Sequence, residues 1–451
     1  LIYISGVNKK QENVSTKMEG KGMKRKIAVM LGVTMAMGLF AGCGAGNSET
    51  SSGGTVTGSS ETGVSEKEKT DGTADADEIH IWHDGDEAIM QVIEDQVNDS
   101  LAEDHVTVKF EKKSGLTDQI KLYGNDAESG PDMYLYAHDS LGTFVEMGVL
   151  APITDVIDES VYADMLPMTQ EAGQYKEEQY LLPVYFETLL FMYNKDTWEG
   201  EVPSTTEDLY SYMEAHTDTA AGTYAVVNQH STAYNVAPVI NGFGGYIIDK
   251  DAKPGLNDEK TKEAVTYNKK FAELEADGDY NTVTALFNEG KASAIIGGPW
   301  LVSGIREAGI NLGIRSLSDF TLPNGEALAP YAGVQGVGVM KHAADTKKDA
   351  IAAVLKALAQ PEVGVALASQ ANCAPANAKS YDTPEVSENE MIAAMKKTAE
   401  TAQPMPNIPE MSVMWGPAES LLAAVNKSGE DVDAAADQYE EEAETAIADM
   451  Q

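Results

Sequence analysis

The chain has 451 residues, 43% of them hydrophobic, which is too long for one ordinary core and sufficient for two. A formal net charge of −40 sets a repulsive field against any polyanion and excludes nucleic acid as a partner. Two cysteines in such a length exclude a disulfide framework, and neither sits in a Cys-x-x-Cys or Cys/His cluster that would hold zinc, so no metal or cofactor is expected.

Residues 1–22 precede a better initiator, Met23, and are expected to be untranslated; Glu19-Gly20-Lys21-Gly22 requires purine-rich codons, as a ribosome-binding site would. Met23 is followed by Lys24, Arg25 and Lys26, an apolar run from Ile27 to Phe40, and Ala41-Gly42-Cys43. That order makes residues 23–42 a signal peptide. The run spans about 21 Å as a helix, short of a ~30 Å bilayer core. Its end resembles a bacterial lipobox, with Leu39 one place early and Phe40 in the usual leucine slot. The resemblance implies that Cys43 is acylated and becomes the mature N-terminus. Residues 43–77 then turn to Gly, Ser, Thr, Glu and Lys, too polar to offset their ordering entropy, and read as a disordered tether with a random-coil span of roughly 30–35 Å. Loss of residues 1–42 removes seven basic and two acidic side chains and leaves −45. An anionic membrane surface repels such a body, which leaves the anchoring to the lipid.

From Glu78 the pattern alternates between strand and helix. Ile79-His80-Ile81-Trp82 reads as a buried strand, with Trp82 in the core, and Ile89, Val92, Ile93, Val97 and Leu101 share one helical face. Val106, Val108 and Phe110 alternate as a second strand. Met133-Tyr134-Leu135-Tyr136 follows Gly130-Pro131-Asp132, and Leu189 to Tyr193 is a further apolar run before Asn194-Lys195-Asp196. The Ala/Glu-rich tail from Glu430 predicts a terminal helix whose charges form a solvated face. This alternation gives α/β domains with ligand loops at the carboxyl ends of the strands.

Six segments, in order, carry a resemblance to the maltodextrin-binding proteins of bacterial ABC importers. They are Ile81-Trp82 with Gly85-Asp86; Gly130-Pro131-Asp132 running into Tyr136-Ala137-His138-Asp139; Tyr193 to Asp196; Gly244-Gly245-Tyr246; Phe287-Asn288 to Gly298-Pro299-Trp300; and Met405 to Pro409 followed by Trp415. The resemblance implies a two-lobed α/β clamp with several hinge crossovers that closes on an oligosaccharide in the interlobe cleft. It implies a first lobe over residues 78–186 and 332–384 and a second over 187–331 and 385–451. It carries sugar-binding roles onto Tyr136, Tyr234, Trp300 and Trp415, and onto the carboxylates Asp86, Asp139 and Glu187, with Trp300 and Trp415 on opposite sides of the cleft. These residue types suit the task by themselves: pyranose C–H faces stack on aromatic rings, and carboxylates accept from hydroxyls. Where enteric relatives carry basic cleft residues this chain has Glu87, Ser140 and Glu419; Glu87 and Glu419 are either hydroxyl acceptors or surface glutamates without a role.

The expected function is that of a monomeric, extracellular, lipid-anchored sugar-binding protein serving ABC permease subunits, on the outer face of the cytoplasmic membrane of a Gram-positive type of cell. α-1,4-Linked glucose oligomers are the expected ligand, with another oligosaccharide as the alternative. A secreted glycoside hydrolase is the competing class, since the many carboxylates could supply a pair about 5–9.5 Å apart. His138 beside Asp139, and His83 beside Asp84, invite a metal or acid–base reading, but no third ligand follows at helical spacing. Cys373, among small residues, reads as a small buried hydrophobe.

Overall fold

The computed structural model describes residues 77–275 and 278–450. The signal peptide, Cys43 and the tether lie outside the described residues. The strands are β1 (Asp77–His83), β2 (Val106–Lys112), β3 (Met133–Ala137), β4 (Leu150–Ala151), β5 (Gln174–Tyr175), β6 (Glu178–Gln179), β7 (Leu181–Thr188), β8 (Leu190–Asn194), β9 (Tyr224–Val227), β10 (Ala292–Gly297), β11 (Leu312–Ser316), β12 (Tyr331–Met340), β13 (Ala374–Pro375) and β14 (Gln403–Pro404).

Eight of them form one sheet in the order β13-β7-β12-β3-β1-β2, with β4 and β14 also paired to β12. β1 lies parallel to β2 and β3, and the helix Glu87–Ser100 links β1 to β2, burying Met90, Ile93 and Val97. Trp82 is buried in this first core. A second sheet, β11-β8-β10-β9, lies under helices Ala233–Phe243, Glu259–Ala272 and Met411–Lys427. The tail helix Val432–Ala448 buries Ala435, Ala436, Ala443 and Ile447 and leaves its glutamates largely in solvent.

A single buried residue, Leu189, carries the chain from β7 in the first sheet to β8 in the second. β12 brings it back, antiparallel to β7, with Glu187 opposite Gly333 and Tyr185 opposite Gln335. Because strand side chains alternate, these two strands serve two purposes. Phe186, Ala332 and Val334 point into a core shared with Leu190, Met192, Ile295 and Ile314 of the second sheet. Tyr185 and Glu187 point the other way. The strand β14 belongs to the stretch 385–451 that the resemblance assigns wholly to the second lobe, and its ladder is with β12 of the first sheet. Two residues of pairing, Tyr331 with Gln403 and Ala332 with Pro404, are too short to leave a periodic signal.

Candidate functional site

The second lobe presents a wall of aromatic rings. Trp300 sits in the turn Pro299–Leu301 after Gly297-Gly298, and its indole folds back over the backbone: a Cβ on Gly298 would meet three ring carbons at 2.1–2.5 Å. A side chain at 298 would require the indole to move. The Trp300 ring lies 6.5 Å from that of Tyr234, tilted by 44°. Tyr234 is the second residue of the helix Ala233–Phe243, and its hydroxyl donates to the Tyr331 carbonyl at 3.5 Å. Tyr331 in turn meets Trp415 edge-on, 6.5 Å between centroids. One helical turn after Trp415, Glu419 accepts the backbone N–H of Ala233. That N–H has no intrahelical partner, and the helix dipole favours an acceptor there. Burial nonetheless pushes the Glu419 carboxyl above its ordinary range.

A second group is formed by the carboxylates of β7 and of the loop after β1. Glu187 is largely enclosed without a cation beside it, and burial raises its pKa. Its charge is felt at the hydroxyls of Tyr234 and of buried Tyr185, and Tyr185 also lies within the field of Asp84 and Asp86. Asp86 caps the helix Glu87–Ser100 by accepting from Ala88 N at 2.7 Å. Asp84 is pushed up by burial and hydrogen-bonds the Tyr136 hydroxyl, which also meets Thr117. Asp139, exposed, lies in the electrostatic neighbourhood of Tyr136. Rings that can cover sugar C–H faces thus stand near carboxylates that can accept from hydroxyls.

Of the nine ligand residues expected from the sequence, Trp300, Tyr234, Trp415 and Glu419 are linked by ring contact or hydrogen bond, Tyr136 is bonded to Asp84, and Glu187, Asp86 and Asp139 are related to them by electrostatic influence alone, on Tyr234, Tyr185 and Tyr136. Glu87 is the exception: it is exposed, and the group it influences is His83. Trp300 and Trp415 do not lie on opposite sides. Both pack against the second-lobe core and are joined through Tyr234 and Tyr331. The cause is the helix Met411–Lys427, which buries Met411, Met414, Ala418 and Leu421 in the second lobe and carries Trp415 with it. Sequence reasoning missed Asp84, Tyr185 and Tyr331. A tyrosine two residues before Glu187 on a strand shares its face, a signal that was available; Tyr331 had none.

His138 has a structural task. Its Nε2–H donates to the Met405 carbonyl at 3.0 Å, and its Nδ1 accepts from Val334 N–H at 3.1 Å. With both nitrogens engaged by backbone, the ring has no lone pair for a metal or a substrate proton. Burial lowers its pKa and keeps it neutral. Cys373 is buried and its thiol is pushed up to about 12, as befits a small hydrophobe.

The sequence pattern described as bacterial extracellular solute-binding protein matches residues 96–394. The chain is similar to a maltotriose-binding protein of Pyrococcus abyssi (strain GE5 / Orsay), 31% identical over 378 residues and covering 81% of each chain. It is also similar to a galactooligosaccharide-binding protein of Bacillus subtilis (strain 168), 30% identical over 413 residues, 85% of this chain and 93% of that one. Among solved structures, the maltose-binding periplasmic protein of Listeria monocytogenes in complex with maltose superposes with a TM-score of 0.71 at 27% identity, over 83% of this chain and 98% of that one. The two-lobed α/β architecture expected from the sequence is borne out by this likeness.

Proposed function

The chain belongs to the bacterial extracellular solute-binding proteins and serves sugar import through an ABC transporter, and from that premise we propose that it captures maltooligosaccharides on the partly exposed rings of Trp300, Tyr234 and Trp415, backed by buried Tyr331. The observation that carries this reading is the grouping of Trp300, Tyr234 and Trp415 around Tyr331, with Glu187 and Glu419 beside them. Partly exposed rings suit the C–H faces of pyranose units, and partly enclosed carboxylates suit their hydroxyls. Asp86, Tyr136 and Asp139 supply the opposing polar contacts from the first lobe. The lobes comprise about residues 78–186 with 332–384 and 187–331 with 385–451, the β14 ladder excepted.

Binding without catalysis fits the site. The relatives it is similar to are named for binding, which supports that reading. The protein works as a monomer, tethered through acylated Cys43 to the outer face of the cytoplasmic membrane, and delivers sugar to a pair of permease subunits.

The test is a titration of intrinsic tryptophan fluorescence with maltotriose and, separately, with a galactooligosaccharide, alongside chromatography of maltohexaose left with the protein. Maltotriose is expected to saturate at the lower concentration and maltohexaose to stay intact. Preference for the galactoside would overturn the ligand assignment, and shortened products would restore the hydrolase reading.

A further inference from the structure

The loop 228–232, between β9 and the helix bearing Tyr234, holds a buried group that sugar contact does not require. His230 and Glu275 are both buried, with Nε2 of the imidazole 2.5 Å from Oε1 of the carboxylate. The other carboxylate oxygen accepts Asn228 N–H at 2.7 Å. Nδ1 of His230 lies 2.6 Å from Asn268 Oδ1. Asn268 Nδ2 donates to the His230 carbonyl at 3.1 Å, which fixes the amide orientation and leaves Nδ1 as the donor. Both ring nitrogens therefore have hydrogens directed at acceptors, one of them a carboxylate, and the pair is charge-assisted.

The same carbonyl of His230 accepts from Asn426 Nδ2 at 2.7 Å, and that amide also reaches Ser231 Oγ at 3.4 Å. Asn426 is on the helix Met411–Lys427. At about 100° per residue, Trp415, Glu419 and Asn426 fall within roughly 40° of one another on that helix. One face thus touches Tyr331 through Trp415, Ala233 through Glu419 and His230 through Asn426. Buried ionic groups contribute little to net stability but fix register, and this one sits where two ring-bearing helices meet.

We propose that His230, held by Glu275 and Asn268, is a positioning residue for the sugar site: it clamps the start of the Tyr234 helix to the helix of Trp415 and Glu419 and so sets the spacing of the aromatic wall. The inference rests on the reading of that wall as the sugar site. The variant is Glu275→Gln, which keeps the shape but replaces one of two acceptors with an amide donor. If that variant does not fold, the pair His230→Asn with Glu275→Gln removes both charges together.

Maltotriose affinity is expected to weaken about tenfold, ~1.4 kcal/mol. In a Trp415→Ala background the same change is expected to cost less than about threefold, because the ring it would misplace is gone. The near-ultraviolet tryptophan dichroism of ligand-free protein is expected to change as well. An equal loss in both backgrounds, or a lowered Tm with affinity and dichroism unaltered, overturns the proposal. If wild-type protein binds no maltotriose, the sugar reading fails separately, and the dichroism of the ligand-free variant decides this one: a changed tryptophan band supports it and an unchanged band overturns it.

Discussion

The four tryptophans occupy two kinds of place, and their substitution should separate binding from stability. Trp198 is buried, stacked on Tyr212 at 4.1 Å and edge-on to Phe191. Trp198→Ala is expected to cost about 3–5 kcal/mol of folding free energy and to leave the Kd of the folded fraction unchanged. Trp300 and Trp415 are only partly buried. Replacing either with alanine is expected to weaken maltotriose by about 2 kcal/mol or more, roughly thirtyfold, with a smaller fall in stability. Urea unfolding run beside sugar titration distinguishes the outcomes. Glu187 gives a residue-scale prediction in pH. Its carboxyl is raised by burial, so below its ordinary value of 4.5 both folded and unfolded forms are protonated; above it the unfolded chain ionises while the native site retains its proton, and stability is lost as pH rises through the folded value. Glu187→Gln is therefore expected to match wild type in Tm near pH 4, exceed it at pH 7, and bind maltotriose about tenfold more weakly because a charge-assisted acceptor has been lost. A Tm below that of wild type at pH 7 would contradict this.

At the scale of elements, periodicity was legible and long-range pairing was not. The strand at Ile79 to Trp82, the helical face through Ile93 and Val97, and the terminal Ala/Glu helix all follow from apolar spacing within one segment. β14 and the side on which Trp415 stands depend on partners more than 60 residues distant or on which face a helix buries, and no local pattern records either. His138 belongs to the same class. Beside Asp139 it resembled an acid–base pair, whereas its bonds are to Val334 and Met405, far along the chain. It ties the end of β3, the middle of β12 and the Met405 segment together near the crossings. His138→Ala is expected to cost about 2–4 kcal/mol, since it orphans two backbone groups. The folded pKa lies below the ordinary 6.5, so as pH falls through 6.5 the unfolded chain takes up a proton that the native ring refuses, and stability is lost. The alanine variant is expected to lack that part of the acid-side decline, measured as the difference in urea midpoint between pH 7 and pH 5.5.

At the scale of the whole molecule, the proposed lipid at Cys43 would hold a strongly acidic sugar-binding body at a membrane without help from charge. Cys43→Ala is expected to move the protein from the membrane fraction to the medium, with maltotriose affinity unchanged in the released form; retention in the membrane would remove the lipobox from the account. The candidate site was legible because residue types were conspicuous in matched segments; its connectivity through Tyr185, Asp84 and Tyr331 arises only when β7, β12 and the second-lobe helices are brought together. Calorimetric titration of maltotriose into the purified soluble body tests the central claim most directly. One sugar bound per chain is expected, with a negative heat-capacity change from burial of apolar ring and C–H surface. Absence of saturable heat with maltotriose, under conditions where the protein is folded, would contradict the assignment of the aromatic wall to a glucose oligomer.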